Sequence, residues 1–364
     1  MPLFTSSSER LPSFRGWRVI VTASLLFLVF VVMLESLLAI RGFHPGVDES
    51  VVRWVRERTH ASQAGSKALI LLGASRIQLG ADMDTLRSGL GLHPVQLAID
   101  GGSFVPVLEG LARDKRINGT IVVDFDESFL VGLPGSFDMA LQCQRSFDTK
   151  SGMDLIDFKE SEAWLKDGLS ANMRSYADGT RPLTALFHRV LDPRATPRYV
   201  VSNVDRSRVA DYSLVSMPDF YYQRVLREMG ATISIDNNFS WKLLDAALSR
   251  DIELMPPSDN TMFLERMEAL VITVEKIEAR GGKVFFIRMP TSGLIHQIQL
   301  KRFPRNRFWA YLEQRFPGRV INSDENAVMS HLVCPDGSHL DKKDRKAFTL
   351  ALVQELRSRG VGTH

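Results

Sequence analysis

The sequence predicts an α/β protein: a doubly wound parallel sheet of about five strands, carrying a large helical insertion and preceded by one transmembrane helix. Three observations predict it. Short apolar runs recur through the chain at Ala68–Leu72, Val95–Ile99, Thr120–Phe125 and Val284–Ile287, with a weaker one at Arg319–Ile321. Runs of that length without polar alternation suit strands buried on both faces of a parallel sheet. Helical patterns fall between them. Roughly 130 residues, from Ser128 to Asn260, break this rhythm, and one long apolar segment lies near the N-terminus.

That segment, Val19–Ile40, reads VIVTASLLFLVFVVMLESLLAI, with Glu35 its one ionisable residue. As a helix it spans roughly 30 Å, the thickness of a bilayer's hydrocarbon layer. A secretory signal has an apolar core of only about 7–15 residues and a small-residue cleavage site. The exit here, LLAIRGFHPG, has no A-x-A, so an uncleaved anchor is expected. Arg10, Arg15 and Arg18 precede the span and Arg41, Arg53, Arg56 and Arg58 follow it. The charge rule for loops therefore leaves orientation undecided. Glu35 reads either as a residue snorkelling to the lipid interface or as a polar contact to a partner membrane helix.

Composition agrees with one anchor and one folded domain. A mean hydropathy of −0.05 excludes a polytopic membrane protein. With 45 basic and 42 acidic residues the chain has no concentrated basic character, which argues against a nucleic-acid partner. Two cysteines, Cys143 and Cys334, are too few for a disulfide scaffold or a four-cysteine zinc site. Among the histidines, His331 and His339 are eight apart and His296 stands alone, so no metal site and no cofactor is expected.

After the linker-like Arg41–Gly46, the stretch DESVVRWVRERTH predicts an amphipathic helix with Val51, Val52 and Val55 on the face packed against the domain. The clearest helix is Thr261–Arg280, whose Phe263, Met267, Leu270, Val274 and Ile277 follow steps of four and three. Asn260 is its expected N-cap and Gly281–Gly282 its stop. The last helix is expected after an N-capping Asp341 and before Gly360. Five of six tyrosines (Tyr176, Tyr199, Tyr212, Tyr221, Tyr222) fall in the insertion, with Trp164 and Trp241. The insertion reads as a helical cap with its own core, and its aromatics suit a carbohydrate-facing lid as well.

Three motifs carry candidate chemistry. In ALILLGASRIQLG, Ser75 follows a buried strand and a Gly-Ala turn, at the strand edge where parallel sheets bind ligands. In CPDGSHLDKK, Asp336 and His339 are three apart, a spacing that lets a carboxylate hold the Nδ1–H of the imidazole while Nε2 takes a serine proton. In QLAIDGGS, Gly101 and Gly102 follow the second strand, where bare backbone N–H groups can approach an oxyanion. Each motif alone also reads as an ordinary turn. Arg76 and Arg288 lie at the same strand edge, as structural ion-pair residues or contacts to an anionic substrate.

Together, GASR, QLAIDGGS and DGSH, with VFFIRMPTSG on the fourth strand, resemble the SGNH (GDSL) hydrolase superfamily over Ala68–Phe125 and Val284–Leu356. The resemblance implies Ser75 as nucleophile, His339 as general base, Asp336 as its orienting carboxylate, and the N–H groups of Ser75 and Gly101 as oxyanion donors. Two positions depart from the family pattern. Ala74 replaces the Asp of GDS, and VVDFDESF stands where the family supplies an Asn to the oxyanion hole. Ser128 is the remaining hydroxyl donor there, beside Asp124, Asp126 and Glu127, which would repel an oxyanion unless protonated or turned away.

An N-terminal span before such a domain resembles the DltD-like and alginate-acetylation envelope proteins, which work beside membrane-bound O-acyltransferases. The similarity implies a single-pass protein of the bacterial inner membrane: residues 1–18 a cytoplasmic tail, 19–40 the anchor, and 41–364 an SGNH-like domain outside the cytoplasm, interrupted by insertion 128–260. It implies a serine esterase or O-acyltransferase acting on acyl esters of cell-surface polysaccharide. The competing expectation is a catalytically idle SGNH domain that tethers or scaffolds a polysaccharide acylation or export complex. Outside the cytoplasm Cys143 and Cys334 are candidates for a disulfide bracing the loop before Asp336, although no sequence feature sets their distance.

Overall fold

The computed structural model describes residues 16–132, 137–149, 158–231 and 240–362. Most of the N-terminal tail (residues 1–15, with Arg10 and Arg15) and three stretches of the insertion lie outside the described residues. The chain divides into two compact units: residues 1–46 with 166–197, and residues 47–165 with 198–364.

The larger unit is built on a five-stranded, all-parallel sheet. Its strands are β1 (Ala68–Leu72), β2 (His93–Gln96), β3 (Thr120–Asp124), β6 (Lys283–Arg288) and β7 (Val320–Asn322). Between β3 and β6 a short antiparallel hairpin is formed by β4 (Val200–Ser202) and β5 (Arg208–Ala210). The main sheet runs in the order β2-β1-β3-β6-β7, with Leu69 beside Thr120 and Pro94 in register. This is a doubly wound order whose direction reverses between β1 and β3, and such a switch point is where open α/β sheets bind ligands.

Side chains of each strand alternate between two layers. Ile70, Leu72, Ile121, Val123, Val284 and Phe286 face one core, which takes Trp54, Leu108, Met267 and Val274 from helices Val51–Ala64, Val105–Arg113 and Thr261–Glu278. Leu69, Leu71, Val122, Phe285 and Ile287 face the other, with Ile77, Leu86, Phe348 and Leu352 from helices Ser75–Gly80, Met83–Leu90 and Arg345–Ser358. Burial on both faces is why these strands read as unbroken apolar runs.

Several expectations need correction. The second strand is His93–Gln96 rather than Val95–Ile99; Leu97 and Ile99 follow it with their N–H groups still donating to Leu71 O and Gly73 O. Val52 is half exposed, and Trp54 takes the inner face of its helix. Asn260 does not cap the helix it precedes; its Oδ1 accepts from Arg307 Nη2 at 3.0 Å. Asp341 does not cap the last helix either, which begins at Arg345; its carboxylate accepts the N–H groups of Tyr212 and Lys343.

The part of the insertion within this unit packs onto the sheet domain rather than enclosing a core of its own. Helices Asp219–Met229 and Trp241–Glu253 bury Tyr222, Val225, Leu244 and Leu248 against Leu294, Ile295 and Ile298 of helix Gly293–Arg302. Tyr199, Tyr212 and Phe220 form a ring cluster over Leu79, and Tyr222 stacks on Trp241 at 5.1 Å. These ring faces are filled by one another.

The smaller unit contains helix Gly16–Ile40, which is 25 residues long with a mean hydropathy of 2.5 over its most apolar 18 residues, long and apolar enough to cross a membrane. Leu34 and Leu38 pack with Phe43 and Ala185. Glu35 neither snorkels nor awaits another membrane helix. Its carboxylate accepts the backbone N–H groups of Arg174 and Ser175, both at 2.8 Å, and so holds the start of a short helical turn.

Candidate active site

The site lies at the carboxyl end of β1, where the chain turns sharply into a helix. Gly73 makes the turn at φ +131°, a conformation that L side chains rarely adopt, and packs directly on Asp124 at the end of β3. Ala74 is extended and Ser75 opens helix Ser75–Gly80, so the Ser75 hydroxyl stands at the sheet edge and its N–H has no partner within the helix. We expect Gly73→Ala to destabilise the fold by about 3 kcal/mol, because its methyl would overlap Asp124 Cβ and hold the backbone in a strained region. Chemical denaturation would measure this, and a loss below about 1 kcal/mol would show that the turn relaxes.

A second turn brings the partners. In Cys334–Gly337, Gly337 has φ +82° and donates its N–H to Cys334 O. The loop after β6 clamps this turn: Ser292 N donates to Gly337 O, and Cys334 N donates to Ser292 Oγ. Asp336, fully buried, accepts the N–H groups of Ser338 and His339 through Oδ1. Its Oδ2 is 2.8 Å from His339 Nδ1, and His339 Nε2 is 2.7 Å from Ser75 Oγ. Serine, imidazole and carboxylate thus form one hydrogen-bonded line, with Ser75 and His339 264 residues apart in sequence.

The insertion adds two groups that reading the motifs alone missed. Arg224, on helix Asp219–Met229, places Nη1 3.2 Å from Asp336 Oδ2. Tyr212 is buried near the same carboxylate, and burial followed by that negative charge pushes its phenol up. No local signal marks Arg224, which precedes Asp336 by more than a hundred residues; the tyrosine-rich composition of the insertion was the one hint for Tyr212.

Burial works against charge on both triad-like groups, with different results. For Asp336 it is outweighed by the hydrogen bond and charge of His339, by Arg224 and by the Ser338 N–H, so the carboxyl is held well below its usual range. For His339, burial is the largest influence and Arg224 and Arg76 act with it, so its pKa falls below the ordinary 6.5 despite Asp336. The imidazole is therefore neutral, and able to accept a proton, at neutral pH.

Two of the three acidic residues of the third block are paired with arginines. Asp126 pairs with Arg76 Nη1 at 2.9 Å and accepts both the N–H and the hydroxyl of Ser128. Glu127 is buried in an ion pair with Arg288, whose guanidinium lies 4.3 Å over the Trp309 ring. Asp124 is pushed up to about 7 by burial, which Arg76 only partly offsets, and by the neighbouring charge of Asp126. Arg76 is further held by Ser338 Oγ at 3.0 Å, and by Gln299 when its amide is turned to face the guanidinium, an orientation assigned from the network.

Ser75, His339 and Asp336 are therefore brought together, with Arg76 beside them, whereas Arg288 is tied to Glu127. Among the described residues, no hydrogen bond joins Gly101 or Ser128 to Ser75. Gly101 is exposed at φ +64° in a turn whose Gly102 N–H donates to Ile99 O. The Ser128 hydroxyl is committed to Asp126. Cys143 and Cys334 are both buried free thiols, so the candidate disulfide is not formed, and Cys334 Sγ instead contacts Pro290 O at 3.2 Å. Compared with known proteins, the chain matches no protein-family model, no curated protein and no solved structure.

Proposed function

We propose that this chain is a membrane-anchored serine esterase or O-acyltransferase of the SGNH type, acting on acyl esters of cell-surface polysaccharide from the outer side of a bacterial inner membrane. The observation that carries this reading is the 2.7 Å approach of Ser75 Oγ to His339 Nε2, with Nδ1 2.8 Å from Asp336. Ser75 Oγ attacks the ester carbonyl as its proton passes to Nε2, and Asp336 stabilises the imidazolium. Nε2 then returns that proton to the departing alkoxide, leaving an acyl-serine. Water or a sugar hydroxyl gives its proton to Nε2 and attacks the acyl carbon, which releases Ser75. The Ser75 N–H, without a partner in its own helix, is the donor assigned to the nascent oxyanion, and the ion pairs of Asp126 and Glu127 offset those two charges of the third block.

The competing reading is an idle scaffold, which has no requirement for an aligned base. A fluorophosphonate probe separates the two, using the full chain in detergent. Intact mass should rise by one phosphonyl group, and peptide mapping should place it on Ser75. No adduct on a folded protein, or an adduct elsewhere, would sink the catalytic reading.

The same reading fixes a pH dependence. The groups facing His339 are Ser75, Asp336, Arg224, Arg76 and the Tyr212 phenol beside Asp336. With His339 depressed, the acid limb of kcat/KM should fall below pH 6.5. Arg224→Gln removes a cation that favours the neutral imidazole, so this limb should move to higher pH. An unchanged limb would show that Arg224 does not act on the base.

A further inference from the structure

We infer that residues Pro182–Leu191 form a membrane-surface helix, seated in the headgroup–acyl boundary of the bilayer that helix Gly16–Ile40 crosses. This rests on that helix being a true span. Along the span, the large apolar residues from Val19 to Met33 are mostly exposed, a stretch of about 23 Å. That covers most of the roughly 30 Å of a hydrocarbon layer. From Leu34 onward one face of the same helix, Leu34 and Leu38, is covered by its own chain, although Ser36, Ala39 and Ile40 stay exposed, and we place the bilayer boundary along this last stretch.

What sheathes it is the helical segment at 182–190. Its Ala185, Leu186 and Val190 pack with Phe30, Leu34, Leu38 and Phe43. The Arg41 guanidinium donates to the carbonyls of Val190 and Ala195, fixing the far end of the segment beside the end of the span. The other side presents Leu183, Phe187 and Leu191 in steps of four, and these are 64%, 60% and 60% exposed. Two exposed arginines, Arg181 and Arg194, flank that stripe. An apolar stripe rimmed by cationic groups and attached to a membrane span at its exit matches the chemistry of a surface carrying anionic phospholipid headgroups.

Nitroxide labels test this on the full chain in lipid nanodiscs containing phosphatidylglycerol. Labels are placed by Phe187→Cys and, separately, Leu191→Cys, with Leu26→Cys in the middle of the span as a reference. The buried Cys143 and Cys334 remain in place, and the parent chain sets the labelling background. At positions 187 and 191 we expect collision with oxygen, which partitions into acyl chains, to be several-fold more frequent than collision with a water-soluble nickel chelate. The reverse ratio at both positions would overturn the inference. Protection from both reagents would overturn it too, because it would mean that a second copy or another protein covers the stripe. If the label at position 26 also meets the nickel chelate, the span itself fails; if only 187 and 191 do, the surface helix fails alone.

Discussion

Ser75→Ala is expected to lower kcat for p-nitrophenyl acetate hydrolysis by about 10⁴–10⁶-fold, leaving only what positioning and residual donors supply. The magnitude follows from how completely the line of groups depends on the hydroxyl. His339 Nε2 has Ser75 Oγ as its partner at 2.7 Å, and removing that oxygen leaves a base with nothing bound to deprotonate except water. The substitution should cost little stability, because Ser75 is half-buried and alanine is a good residue in the first turn of a helix. Loss of turnover with an unchanged melting temperature is therefore the expected pair of results. Activity retained within tenfold would exclude Ser75 as the nucleophile, whatever the geometry around it.

How far the sequence led depended on whether the determining partner was local. Ala68–Leu72 was legible to the residue, because each side chain in it is buried and none interrupts the apolar run. Asp336 and His339 were legible because the turn joining them is closed by their own backbone, with Ser338 N and His339 N on Asp336 Oδ1. Local rules misled where a distant group competed for the same side chain. Asn260 and Asp341 are good capping residues, yet Arg307 claims one and the Tyr212 N–H the other. Glu35 read as an isolated carboxylate in a membrane span because its two donors lie 139 and 140 residues away. Arg224 was hidden for the same reason. The acidic third block looked hostile to an oxyanion for want of its counter-ions, Arg76 and Arg288, which tertiary structure supplies.

Asp336→Asn is expected to lower turnover by on the order of 10⁴-fold while the fold persists. The side-chain oxygen of an asparagine can still accept the N–H groups of Ser338 and His339, so the turn has no reason to open. Its amide nitrogen would then face His339 Nδ1 as a donor. That selects the tautomer with the proton on Nε2, which has no lone pair to accept the Ser75 proton at 2.7 Å. The imidazolium formed during attack would also lose its buried counter-charge, and Arg224 at 3.2 Å would become an uncompensated cation beside it. Stability supplies a second readout with a definite sign. The Asp336 carboxyl is held below its ordinary 3.8, so its contribution is fully present above that pH and is lost as pH falls through the folded-state value. Parent and variant should therefore differ in stability near neutrality and converge in strong acid, as measured by urea denaturation across pH. A gap that stays constant into acid would mean that the carboxylate charge contributes nothing to holding His339 in place.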